Sequence, residues 1–251
     1  MRQELDTDAT AAVHDLASQQ GASVFSVVTA AVAEALARFT GRDDLVLGTP
    51  AGRRDRPELR DMVGPLLTMV PIRLDLQDDP TFGELVHRAR RTILGGLANA
   101  ESLPQAAPGT GDDAGGRGWF NVIVTDLGED LSTPHLPGLH TQLVEIPRVG
   151  AKYDLNVLVT QTPHHLRLDA EFDPTAVDAA TVTRMLDLCA QIATAGSAAP
   201  HHLSSRLACA PFGDPGPVAL GQPLLYPPTP DQSRASPRVA HAQQAHADNA
   251  G

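Results

Sequence analysis

The 251-residue sequence has no apolar run approaching the roughly 18 residues a membrane-spanning helix needs, which excludes a helical transmembrane protein. Its start, Met1-Arg2-Gln3-Glu4-Leu5-Asp6, lacks the basic-then-apolar pattern of a secretory signal. Cysteine is scarce. Cys189 and Cys209 cannot build a disulfide framework or, on their own, a structural zinc site, and the expected location is a reducing cytoplasm. Basic charge is also short: 19 Lys and Arg against 30 Asp and Glu leave a net charge of -11, which argues against general binding to nucleic acid or anionic lipid. There is no GxSxG elbow, no Walker loop, no HExxH and no internal repeat. What remains is a chain long enough for one large domain or two small ones, with a sizeable core.

Periodicity supplies the elements. Asp8 to Gln20 reads as an amphipathic helix with Val13, Leu16 and Ala17 inward, stopped by Gly21. In Val24 to Phe39, Val24, Val28, Ala31, Ala35 and Phe39 line one face, which Val27, Val32 and Leu36 widen into a largely buried helix. Gly41-Arg42-Asp43-Asp44 turns the chain into a short strand, Leu45-Val46-Leu47. A second strand carries Val70, Ile72, Leu74 and Leu76, and Pro71 inside it predicts an edge or a bulge, because proline cannot donate to the ladder. Thr81-Phe82-Gly83-Glu84 is a capping box that opens a helix with Leu85, Ala89, Ile93 and Leu97. Four strand-like runs follow, Trp119 to Thr125, Leu139 to Ile146, Tyr153 to Thr160 and His165 to Phe172, and a last helix runs from Asp178 to Ala195. Gln105 to Gly118 reads as a flexible loop. From Pro200 onward the composition turns to Pro, Ala, Gln and His, which reads as a disordered tail, and the domain division is 1–207 for the folded lobe and 208–251 for the tail. This order predicts an α/β (α+β) sandwich with a mixed sheet flanked by helices.

The candidate chemistry centres on His164-His165-Leu166-Arg167-Leu168-Asp169. A histidine and an aspartate can supply a base near neutral pH and a carboxylate to order it, so His165 and Asp169 are the catalytic candidates. The spacing resembles the HHxxxDG motif of condensation-type acyltransferases, with Ala170 at the glycine position. Against this, Leu166, Leu168, Ala170 and Phe172 alternate with His165, Arg167, Asp169 and Glu171, the pattern of a half-buried strand with one polar face, and that is the preferred reading. His201-His202 invites a four-histidine metal site with His164-His165, but adjacent strand residues point to opposite faces, so no metal site is assigned. Gly109 to Ala114 imitates a dinucleotide fingerprint without the strand and helix it needs. Cys189 lies on the apolar stripe of the last helix and reads as inert core. Arg53-Arg54-Asp55-Arg56 fits an anion site and an exposed, charge-balanced turn equally well.

Several segments resemble one family. Gly21 to Phe25, Phe39-Thr40-Gly41-Arg42-Asp43-Asp44-Leu45-Val46-Leu47-Gly48-Thr49-Pro50, Arg54 to Leu59, Val63 to Arg73, Asp79 to Phe82, Ala151 to Leu155 and Phe172 to Met185 are similar, in order, to passages of the condensation domain of nonribosomal peptide synthetases. The resemblance runs from about Asp6 to Leu207 and covers only the second of the family's two chloramphenicol-acetyltransferase-like lobes, with Met1 falling where that lobe starts. It implies a lobe of that fold whose catalytic HHxxxDG belongs to a first lobe, so His165, on a late strand, falls far from the motif's place. It also implies that Arg54, Thr68 and Met69 face the cleft between lobes. Thr68-Met69 stands where the family has Asn-Thr, and Ala100 to Gln105 keeps only Leu-Pro of "HQDLPFE".

Three functional readings stand, two of them implied by the resemblance and one by the residues His165 and Asp169. The first is a lobe contributing to amide-forming acyl transfer once a first lobe is supplied. Its substrates would sit on the phosphopantetheine of a partner carrier protein, with no cofactor bound to the chain itself. The second is a non-catalytic docking module for a carrier protein or synthetase domain, and the third an autonomous acyltransferase using His165 and Asp169. A lone second lobe would also expose apolar surface, open to a partner or to self-association.

Overall fold

The computed structural model describes residues 1–52, 57–64, 66–100, 120–129, 137–141, 151–161 and 165–209. In chain order the elements are β1 (Arg2–Leu5), α1 (Thr7–Gln19), α2 (Val24–Thr40), β2 (Asp44–Gly52), β3 (Leu67–Asp75), α3 (Phe82–Ala98), β4 (Val122–Glu129), β5 (Leu155–Gln161), β6 (Leu166–Phe172) and α4 (Ala179–Ala198). Local chemistry starts each helix. The N–H groups of Ala9, Ser26 and Thr181 donate to the side-chain oxygens of Asp6, Ser23 and Asp178 at 2.8, 3.1 and 2.9 Å. The predicted capping box at α3 is complete: Glu84 N–H donates to Thr81 Oγ1 at 3.3 Å, and Thr81 N–H to Glu84 Oε2 at 2.9 Å. Gly41 ends α2 at φ +68°, a left-handed position that glycine takes without a Cβ penalty.

The strands form one sheet in the order β1-β6-β5-β4-β2-β3. β4 runs parallel to β2 and β5, and the other pairs are antiparallel, so the sheet is mixed. Strand alternation sorts its side chains. Leu45, Leu47, Ile72, Leu74, Val122, Val124, Leu155, Val157, Val159, Leu166, Leu168 and Ala170 belong to one buried cluster with the inward residues of all four helices. The fold is a two-layer α/β sandwich, and among the described residues no helix covers the opposite face of the sheet. No single described helix is long and apolar enough to cross a membrane.

Several expectations needed correction. β1 was not anticipated: four residues with a charge at each second position carry little apolar signal, and their partners on β6 lie more than 160 residues away. The strand read as Leu45 to Leu47 continues to Gly52 through Gly48 and Pro50. Among the described residues β4 meets β2 only at Gly48 opposite Ile123, so beyond that point β2 pairs there with β3 alone and Pro50 is tolerated. Leu139 to Thr141, the described start of the run predicted to Ile146, is not a strand, and the rest of that run lies outside the described residues. So do Trp119, the whole Gln105 to Gly118 segment and everything from residue 210 onward.

Pro200 to Leu207, polar like the sequence that follows, is folded rather than disordered. Its carbonyls at Pro200 and His202 accept from Gly83 and Phe82 N–H at 2.8 and 2.9 Å, and Ser204 N–H donates to Pro80 O at 2.9 Å. Arg38 Nη2 donates to Ser204 O at 2.7 Å, while its Nε holds Glu34 at 3.0 Å in a buried pair on α2. The backbone groups at the start of α3 anchor this segment, a signal that composition does not carry.

Candidate functional site

The open face of the sheet has two halves of different chemistry. On the β1-β6-β5 side the outward row is polar. Arg2, paired in register with Asp169, donates from Nε to Asp169 Oδ1 at 2.7 Å. Arg167 Nε stands 2.8 Å from the other carboxylate oxygen. One strand further in, Asn156 accepts from Thr125 Oγ1 at 3.0 Å and reaches Glu171 at 3.4 Å. At the start of the parallel pair, Asn121 Nδ2 donates to Asp154 Oδ2, and Leu155 N–H donates to Asn121 O, which ties the two strand entrances together.

The β4-β2-β3 side is apolar. Gly48, Pro50, Met69, Pro71 and Ile123 share the outward row by register. The Phe120 ring lies over Gly48 so closely that a Cβ there would sit 2.2 Å from a ring carbon and 2.8 Å from Ile123 Cγ2. Phe120 stacks on Tyr153 with centroids 6.1 Å apart, and Lys152 Nζ stands 5.7 Å from the Tyr153 ring centre. Burial pushes the Tyr153 hydroxyl pKa above its usual range. Before β3 the chain exposes Met62 and Val63, the latter 99% accessible, and Leu67 follows at the strand's first position.

The structure separates the residues that the sequence reading grouped. His165 stands at the exposed start of β6, and four extended residues put it about 13 Å from Asp169. Asp169 is engaged by two arginines, so His165 and Asp169 do not form a base–carboxylate dyad. Thr68 and Met69 are consecutive in β3 and face opposite sides: Thr68 lies in the helix-side row with Val70, Met69 in the open row opposite Pro50. Arg54 lies outside the described residues. His201 and His202 pack edge to face with centroids 4.6 Å apart, and among the described residues no three His, Cys, Asp or Glu side chains could hold a metal ion. Cys189 is fully buried, and desolvation pushes its thiol up to about 12, far from nucleophilic use.

Sequence reasoning missed Arg2, Asn121, Asp154 and Asn156. Their common signal is a polar residue entering or alternating within a strand, and it becomes legible only when the register is known. What the polar half of the face offers chemically is fixed ion pairs and amide groups, while on the apolar half Phe120 is itself buried beside Tyr153.

The family model for the condensation domain matches residues 1–211. Malpinin synthetase of Mortierella alpina is 28% identical over 186 residues, which is 71% of this chain and 2% of that synthetase. A linear gramicidin synthase of Brevibacillus parabrevis is 39% identical over 92 residues, 37% of this chain and 2% of that synthase. Among solved structures, the X-domain from teicoplanin biosynthesis superposes with a TM-score of 0.74 at 22% identity, covering 83% of this chain and 49% of the X-domain chain. The first condensation domain of the calcium-dependent antibiotic synthetase, solved with a substrate analogue, gives 0.65 at 24% identity over 83% of this chain and 46% of its own. The chain therefore spans about half the length of these structural relatives.

Proposed function

The chain belongs to the condensation-domain family of nonribosomal peptide synthetases, and from that premise we propose that it is the second lobe of such a domain. It contributes to amide-bond-forming acyl transfer between carrier-bound substrates only together with a first lobe that carries HHxxxDG. The observation that carries this reading is the coverage: 83% of the chain superposes on 49% of the X-domain. The order of the resembling segments supports the second half rather than the first.

On this reading the amine of one phosphopantetheine-bound substrate attacks the thioester of another, in the cytoplasm, and the first lobe supplies the histidine that positions or deprotonates it. This lobe supplies half of the cleft. Its share is orientation, which requires a fixed surface rather than a reactive group. The test is reconstitution. The purified chain mixed with loaded donor and acceptor carrier proteins should form no amide product by mass spectrometry, and adding a first lobe, in cis or in trans, should restore it. Turnover by the chain alone would overturn the proposal, and a loss of that turnover on His165→Ala would place the chemistry in this lobe.

A second reading is a non-catalytic docking module for a carrier protein or another synthetase domain. Thr68-Met69, in place of the family's Asn-Thr, favours it, as does the relative whose structure is a complex of the X-domain with OxyB from teicoplanin biosynthesis. Binding of a carrier protein without any turnover in the reconstituted pair would select this reading over the first.

A further inference from the structure

α3 turns an exposed flank outward, on the side away from the sheet. Between Leu85 and Ala100 the sequence has three arginines and no acidic residue, in a chain whose net charge is -11. The helix already fills its inward face with Phe82, Leu85, Val86, Ala89 and Ile93. Leu94 and Leu97 are surplus to that core and remain 50% and 45% exposed. At 100° per residue, Leu97, Arg90, Leu94, His87 and Arg91 follow one another around a single outer flank of the helix. Arg88 is occupied, donating to Asp75 O at 2.6 Å. Arg90, Arg91 and His87 are exposed and make no hydrogen bond or ion pair with the described residues.

The flank is also held rigidly. The capping box fixes the start of α3. Near its end, a Cβ on Gly96 would come within 2.4 Å of Val70 Cγ1, so the last turn lies directly on β3. Two leucines, interleaved with arginines that no described residue pairs, form a small apolar contact with a basic rim on a fixed helix.

We propose that this flank docks an acidic amphipathic helix of a partner protein. The partner's apolar residues cover Leu94 and Leu97, and its carboxylates pair with Arg90 and Arg91. A nucleic acid would use the arginines and leave the leucines exposed. A membrane surface needs a broader apolar face than two leucines, since the rest of the helix's apolar side chains are already buried in the fold. The surface is independent of condensation activity, so it stands or falls apart from the proposed function.

The probe is a fluorescein-labelled helical peptide of about 20 residues, long enough to hold a helix, with leucines on one face flanked by glutamates. A scrambled peptide of the same composition serves as control. The full chain should bind the first peptide and not the second by fluorescence anisotropy, with affinity falling as salt rises. Binding should weaken at least about tenfold in R90E/R91E and again in L94S/L97S, and stay unchanged in R60E, which alters charge on another exposed surface. All these positions are exposed, and thermal melts of the variants should match the parent. Equal binding of the scrambled peptide, or equal affinity in R90E/R91E and the parent, overturns the proposal. So does tighter binding to phosphatidylglycerol vesicles or duplex DNA than to the peptide.

Discussion

The two faces of the sheet are built from the same strands and obey different rules. On the helix side, each inward step of the pleat delivers an apolar side chain to a cluster shared with α1 to α4. On the open side the same strands deliver Arg2, Arg167, Asp169, Asn156 and Glu171, and then Gly48, Pro50, Met69 and Pro71. The first face is closed by side-chain volume, so its energetics are those of packing. The second carries directional contacts on its polar half and, on its apolar half, Gly48, Phe120 and Ile123, which are themselves buried. A face of that kind can meet a partner without the fold losing its core, which is what a lobe of a two-lobed domain requires.

Breaking the helix side should cost most. Phe82 is fully buried where α3 begins, and its ring lies against Gly196 of α4, where a Cβ would approach within 2.4 Å. Phe82→Ala should lower stability by about 3–5 kcal/mol, read from urea denaturation monitored by circular dichroism. A loss below about 1 kcal/mol would show that the helix layer repacks freely. The apolar half of the open face should respond less, and to overpacking rather than to a cavity. Gly48→Val drives a side chain into the Phe120 ring and should cost about 1–3 kcal/mol. In a Phe120→Ala background the same Gly48→Val change should cost less, because the two positions share one space. Strictly additive losses would mean that Phe120 does not hold its place over Gly48.

The helix side was also the legible one. The apolar stripe of Val24 to Phe39 and the capping box at Thr81 and Glu84 express local rules, and the structure reproduces them. Glu34 departs from this: it interrupts an apolar helix, and nothing local shows that it is buried with Arg38 beneath Ser204. The open face was read only in part. Alternation in Leu166 to Phe172 identified a polar row, but the partners of that row come from β1, at the far end of the chain. For the same reason His165 and Asp169 looked like a pair in the sequence: spacing counts residues, while an extended strand turns each residue into more than about 3 Å of separation.

The smallest expected effect tests that polar row directly. Asp169 accepts from Arg2, whose side chain is 46% exposed, and stands against the more enclosed Arg167. Exposed ion pairs contribute little because water and salt screen them, whereas removing a carboxylate beside a partly enclosed guanidinium leaves a desolvated charge. Asp169→Ala should therefore cost about 1 kcal/mol, more than Arg2→Ala, and a double-mutant cycle should give Arg2 and Asp169 a coupling of about 0.2–1 kcal/mol that shrinks at high salt. In the reconstituted two-lobe system the same variant should leave the rate of amide formation within about twofold, since a residue held between two arginines on this face orients no base. A rate collapse out of proportion to the stability loss would return Asp169 to the chemistry, and would mean that the open face does more than recognise.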